Sequence, residues 1–217
     1  LELTVLRDSI VRFRYATEHA FEPDFSYDIS QEVITGYNKL EVTEEIPEYV
    51  VETSKVRVHI NKSNLKVEIT DLEDNPINED DNGFHWEENY DYGGNVVKMT
   101  KVTQNGESFY GMGDKASHTN LKGKRVSNWV TDSYAYGKDQ EPLYKAIPFY
   151  VGLHNDVAYG IFFDNSFGTY FDFAHERRNL TSFWADGGEM NYYFFYGPKI
   201  SQVVEAYTDL TGVPELP

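Results

Sequence analysis

Ile147-Pro-Phe-Tyr-Val-Gly-Leu153, Ala158-Tyr-Gly-Ile-Phe-Phe163, Thr169-Tyr-Phe-Asp-Phe173, Ser182-Phe-Trp-Ala185 and Asn191-Tyr-Tyr-Phe-Phe-Tyr196 are aromatic and β-branched runs, each bounded by Gly, Pro, Asn or Asp. Antiparallel sandwiches produce this regular spacing of short strands and turn residues. Upstream, Leu1, Leu3 and Val5, then Ile10, Val11, Phe13 and Tyr15, mostly alternate with polar residues around Arg7-Asp-Ser9, which predicts a hairpin of half-buried strands. Val56, Val58 and Ile60 repeat the pattern before the polar turn Asn61-Lys-Ser-Asn64, and Leu65, Val67 and Ile69 follow it. Residues 95–104 and 107–110 also have strand character. Residues 18–47, rich in acids and aromatics and punctuated by Pro23, Gly36 and Pro47, read as irregular structure with short strands. The most acidic tract, residues 71–88, reads as an exposed hairpin tip.

Only residues 201–211 carry helical spacing. Ser201 is the expected N-cap, Val203, Val204, Tyr207 and Leu210 form the apolar stripe, and Gly212 and Pro214 end the helix. The sequence therefore predicts an all-β domain over residues 1–200 that closes on a single C-terminal helix and linker, residues 201–217.

Composition narrows the function. Lys and Arg number 19 against 36 Asp and Glu, a net charge of -17, so a phosphate backbone or an anionic membrane surface is repelled unless basic residues cluster. The densest basic stretch, Lys122-Gly-Lys-Arg125, is a short turn flanked by acids, so neither nucleic acid nor membrane is an expected partner. With no cysteine, disulfides, thiolate metal sites and thiol nucleophiles are excluded. No apolar run approaches the roughly 18–20 residues that span a bilayer. The sequence starts at Leu1 inside a strand pattern, without an initiator methionine or signal peptide, and both ends read as cut from a longer protein.

Several motifs imitate chemistry without its context. Gly111-Met-Gly-Asp-Lys-Ala116 matches a dinucleotide-binding pattern, with Asp132 about where a ribose-binding acid belongs, but residues 117–124 lack the helical stripe needed to hold a pyrophosphate. A tight glycine turn between strands is expected instead. Asn78, Asp80, Asn82 and Gly83 resemble half of a calcium loop, yet position twelve is Asn89 rather than a bidentate glutamate. The six histidines have no metal-ligand spacing. Asp186 and Glu189 are the tempting carboxylate pair for glycosidic cleavage, but the glycines between them predict a hairpin turn into the strand at 192–196. No cofactor or metal is expected.

Asn128-Trp-Val-Thr-Asp-Ser-Tyr-Ala-Tyr136 and the residues on to Tyr144 interleave aromatics with short polar and acidic side chains. Carbohydrate sites use this mixture, since sugar C–H faces pack on rings while carboxylates accept hydroxyl hydrogen bonds. The same composition also suits a long loop folded on its own aromatics.

Phe109-Tyr-Gly-Met-Gly-Asp-Lys115, Asn128–Tyr136, Pro142-Leu-Tyr-Lys-Ala-Ile-Pro-Phe149, Tyr159-Gly-Ile-Phe-Phe-Asp-Asn165 and Tyr192-Tyr-Phe-Phe-Tyr-Gly-Pro198, in this order, resemble the amino-terminal domain of glycoside hydrolase family 31. Residues 203–217 look like the helix and linker that precede that family's (β/α)8 barrel. The resemblance implies a galactose-mutarotase-like β-sandwich, or supersandwich, without catalytic residues of its own, because nucleophile and general acid belong to the barrel. The parent would be a retaining α-glycosidase of the α-glucosidase kind, acting on terminal α-glycosidic bonds of oligosaccharides, or a transglycosylase, and this chain alone should be inert. The implied partners are that barrel and an oligosaccharide. In the family a loop of this domain contacts sugar at the barrel's mouth; its aspartate aligns with Asp132 and the next hydroxyl position with Ser133, with Trp129, Tyr134 and Tyr136 expected to shape the wall. A freestanding carbohydrate-binding module and a mutarotase-like enzyme are the alternatives.

Overall fold

The computed structural model describes residues 1–17, 20–30, 41–44 and 46–213. Much of the segment read as irregular, including Gly36, and the linker residues 214–217 with Pro214, lie outside the described residues. Along the chain come β1 (Glu2–Arg7), β2 (Ile10–Tyr15), β3 (Glu41–Glu44), β4 (Glu48–Glu52), β5 (Val56–Asn61), β6 (Val67–Asp71), β7 (Pro76–Glu88) and β8 (Asn95–Val102). Then follow β9 (Ser108–Gly113), β10 (Lys124–Asn128), β11 (Ala146–His154), β12 (Val157–Phe163), β13 (Thr169–Phe173), β14 (Leu180–Ala185), β15 (Met190–Tyr196) and the helix α1 (Ile200–Thr211).

The strands form two antiparallel sheets, one ordered β1-β2-β15-β12-β11-β9 and the other β10-β13-β14-β8-β7-β6-β5-β4-β3. The space between them holds Val11, Phe13, Met99, Phe109, Phe171, Phe183, Tyr192 and Phe194. A second core lies where Tyr193, Phe195, Phe162 and Val151 pack with Val203 and Leu210 of α1. The six-stranded sheet is thus covered on both faces, which explains why β12 and β15 are continuous apolar runs rather than alternating ones.

The helix sits close to its sheet because β12 has a glycine beneath it. A Cβ on Gly160 would lie 2.7 Å from Val203 Cγ1 and 2.9 Å from Phe149 Cε2. Phe149 in turn stacks on Tyr207 at 4.0 Å between centroids. Gly160→Ala should therefore overpack this layer at a cost of about 1–3 kcal/mol, lowering the melting temperature by roughly 2–12 °C. An unchanged thermal unfolding curve would refute this account.

The structure corrects several expectations. The acidic tract is not a hairpin tip: the turn is confined to residues 72–75, and β7 carries Asn78 and Asp80 into the interior. Asp80 is tolerated there because it accepts the Lys101 ammonium at 2.7 Å and the Val67 N–H at 2.9 Å. The extra residues are absorbed as a register shift between Asp80 and Gly83. The turn between Asp186 and Glu189 does not close a hairpin, since β14 and β15 belong to different sheets. Gly111 and Gly113 form no loop between strands; they lie in β9, where a Cβ would approach Phe149 O to 2.7 Å and Lys145 O to 2.6 Å. Lys124 and Arg125 begin β10 rather than staying in a turn. The N-cap of α1 is Lys199, whose N–H is taken by the Gln202 side chain at 3.1 Å, and Val204 of the expected stripe is exposed.

Candidate functional site

The strongly aromatic segment leaves the end of β10 and returns to the start of β11. Its stem is fixed by a parallel bridge between Val130 and Leu143, with Thr131 N–H donating to Leu143 O at 3.0 Å. Below it, Glu141 accepts the Ser127 N–H at 2.9 Å and lies 3.4 Å from Lys115 Nζ, which also donates to Ser127 O. Burial lowers the Lys115 pKa, and the Glu141 carboxylate opposes that shift. On the far side Asp139 takes Ser117 Oγ at 2.7 Å and Lys124 Nζ at 3.0 Å, which holds its pKa down. A loop this long is normally costly to order; here charged hydrogen bonds fix both its ends.

The five residues singled out in the sequence all ride on this loop. Ser133 is half-buried, donating to Pro142 O at 3.2 Å while its own carbonyl accepts the Tyr144 hydroxyl. The Tyr136 and Tyr144 rings meet edge to face at 6.1 Å. Tyr134 is 95% exposed. Asp132 is exposed and receives no hydrogen bond or ion pair from any described residue. Trp129 is 61% exposed, with Cε3 3.9 Å from the Cβ position of Gly168.

Trp129 also borders something the sequence did not announce. A cleft of about 330 Å³ opens beside it, with Asn128 and Thr169 among its lining residues, Ala146 and Pro148 from β11, and Phe167 and Asp28. A second cleft, about 340 Å³, shares Asn165, Ser166 and Phe167 with the first and continues to Phe25, Tyr27 and Asp164. Asp28 and Phe167 lie far from the loop in sequence, so no local pattern could have joined them to it. Asp164 is hydrogen-bonded to Ser26 at 3.1 Å and to Asn191 at 3.2 Å, and burial pushes its pKa up to about 6.

The pair Asp186 and Glu189 is engaged structurally. Asp186 accepts the Tyr170 hydroxyl at 3.0 Å, while Glu189 holds Arg14 and the Glu22 N–H, each at 2.6 Å. Among the described residues, no three His, Asp or Glu side chains converge as a metal site, and no helix is long and apolar enough to cross a membrane.

Residues 1–172 match the family described as the glycosyl hydrolase 31 N-terminal galactose mutarotase-like domain. The chain belongs to this family. As a GH31 N-terminal domain it is 40% identical over 118 residues to α-glucosidase 2 of Bacillus thermoamyloliquefaciens, covering 54% of this chain and 15% of that protein. It is 36% identical over 124 residues to an α-glucosidase of Saccharolobus solfataricus, covering 57% and 18%. The GH31 dextranase of Flavobacterium johnsoniae, solved with isomaltotriose, superposes at a TM-score of 0.89 with 31% identity, over 99% of this chain and 26% of that one. This GH31 domain therefore spans between a seventh and about a quarter of the length of these relatives. The all-β two-sheet sandwich with its C-terminal helix agrees with that match.

Proposed function

We propose that this GH31 domain is the non-catalytic N-terminal part of a retaining α-glycosidase that cleaves terminal α-glycosidic bonds of oligosaccharides, and that the loop from Trp129 to Tyr144 forms one wall of the substrate site. The observation carrying this reading is Asp132: an exposed carboxylate without a partner among the described residues, on a loop whose stem is held by Glu141, Lys115 and Asp139. A carboxylate so placed accepts sugar hydroxyls in charge-assisted hydrogen bonds, and the exposed rings of Trp129 and Tyr134 offer C–H contact surface beside it. The names of the relatives, α-glucosidases and a dextranase, support the substrate class.

In the complete enzyme, Asp132→Ala should lower kcat/KM for a trisaccharide about 10- to 100-fold, the worth of one or two hydrogen bonds to a charged group. Hydrolysis of a p-nitrophenyl α-glycoside, which reaches fewer subsites, should change less than about threefold. Steady-state kinetics on both substrates check this. Equal losses on both, or turnover by the 217-residue chain alone, would overturn the proposal.

A further inference from the structure

We infer that the chain carries a sugar-binding groove beside the Asp132 loop, with Trp129 on their common border: the two clefts that meet at Phe167. The chemical class is a short neutral gluco-oligosaccharide. The inference goes beyond the loop's assigned role and rests on the GH31 reading for its choice of sugar.

Three observations converge. The first is Asn128, which lines the first cleft at 6% exposure, with neither its side-chain oxygen nor its nitrogen hydrogen-bonded to any described residue. Buried amides almost always have partners, and an exception in a native protein calls for a ligand or another explanation. Asn128 carries both a donor and an acceptor, sealed beneath the cleft floor, and a turn of its side chain into the cleft would offer both to vicinal hydroxyls. The second is the way the two rings are held. Phe167 is 54% exposed, yet its ring covers Gly187 and Gly188, since a Cβ at Gly187 would lie 2.7 Å from its Cε1 and one at Gly188 would lie 3.2 Å from its Cδ2. The turn beneath is fixed by Asn165, which donates to Gly187 O at 2.9 Å and Glu189 O at 3.1 Å and accepts the Phe167 N–H at 2.8 Å. Trp129 makes an ordinary contact with Gly168, its Cε3 lying 3.9 Å from the Cβ position there. The Phe167 ring is thus held on glycine backbone, and both rings present apolar surface to solvent.

The third observation is charge. Asp28 borders the first cleft, and Glu22 and Asp164 line the second with Glu189, which is paired to Arg14, so the lining disfavours anionic sugars and favours hydroxyl donors. A volume of about 330 Å³ per cleft is at the lower end for small-ligand sites, which suits one hexose ring in each.

Titration calorimetry of the 217-residue chain with isomaltotriose and maltotriose tests the groove, with a glucuronic-acid oligosaccharide as the anionic control. Saturable binding of at least one neutral trisaccharide is expected, weakened about tenfold by Phe167→Ala and by Trp129→Ala, with Tyr49→Ala unchanged. Asn128→Leu should abolish binding while leaving the melting temperature equal or higher, because it removes an unpartnered buried amide. No binding, binding that survives Asn128→Leu and Phe167→Ala, or equal affinity for the anionic sugar would overturn the groove. None of these outcomes touches the loop proposal, which is read from Asp132 in kinetics. In the complete enzyme, Ser166→Cys should remain open to maleimide; protection there would assign the groove to contacts with the rest of that protein and overturn the inference.

Discussion

Lys101→Ala is expected to lower the melting temperature of the chain by roughly 6–20 °C. Lys101 and Asp80 face each other across β7 and β8 at 2.7 Å, and both side chains are sealed from solvent. Removing the ammonium leaves a carboxylate in the core with, among the described residues, only the Val67 N–H to satisfy it. Breaking a buried pair in this way costs about 3–5 kcal/mol, far more than intact pairs contribute over apolar residues, and at this chain length each kcal/mol is worth about 2–4 °C. The double variant Asp80→Asn, Lys101→Met should recover most of the loss, because an amide oxygen still accepts the Val67 N–H and no charge remains buried. Thermal unfolding followed by circular dichroism distinguishes the cases. If the single variant melts within about 2 °C of the parent, the pair is not the anchor described here.

Asp164→Asn should act in the opposite direction and only above a definite pH. Burial raises the Asp164 pKa to about 6, the neighbouring Asp28 and Asp24 add to the rise, and Ser26 and Arg12 oppose it. The folded state therefore holds a proton that the unfolded chain has released, so Asp164 contributes stability that is complete below about pH 4 and is lost as pH rises through about 6. The full shift corresponds to at most about 3 kcal/mol, reduced by whatever water reaches the group. Asparagine carries no charge to desolvate and keeps an oxygen for Ser26. Asp164→Asn should raise the melting temperature by roughly 2–10 °C at pH 7 and by little at pH 4. A constant difference between the two pH values would show that ionisation of Asp164 is not the cause.

How much of this was legible in advance depended on the range of the signal. The hairpins around Arg7-Asp-Ser9 and Asn61–Asn64, the strands from Ile147 onward and the terminal helix were all readable, because hydrophobic period and turn residues act over a few positions. The stretch from Trp129 to Tyr136 was readable as a single loop for the same reason. Ser201 failed as the N-cap because Gln202 bonds back to Lys199, and packing on β12 moved Val204 to the solvent side. β10 was missed because Lys124-Arg-Val-Ser-Asn128 has a single large apolar residue, and only its pairing with β13 makes it a strand.

The sequence by itself determined the class of fold, the absence of thiol chemistry, the acidic charge and the aromatic loop, since each follows from residue identity or local spacing. Tertiary structure alone decided which strands share a sheet, that an acidic tract could enter the core opposite Lys101, and that Asn128, Trp129, Phe167, Asp28 and Asp164 border two adjoining clefts. The physical reason is that a buried charge or an unpartnered amide is defined by its neighbours in space. Those neighbours come from strands tens of residues apart, where local periodicity carries no information about them.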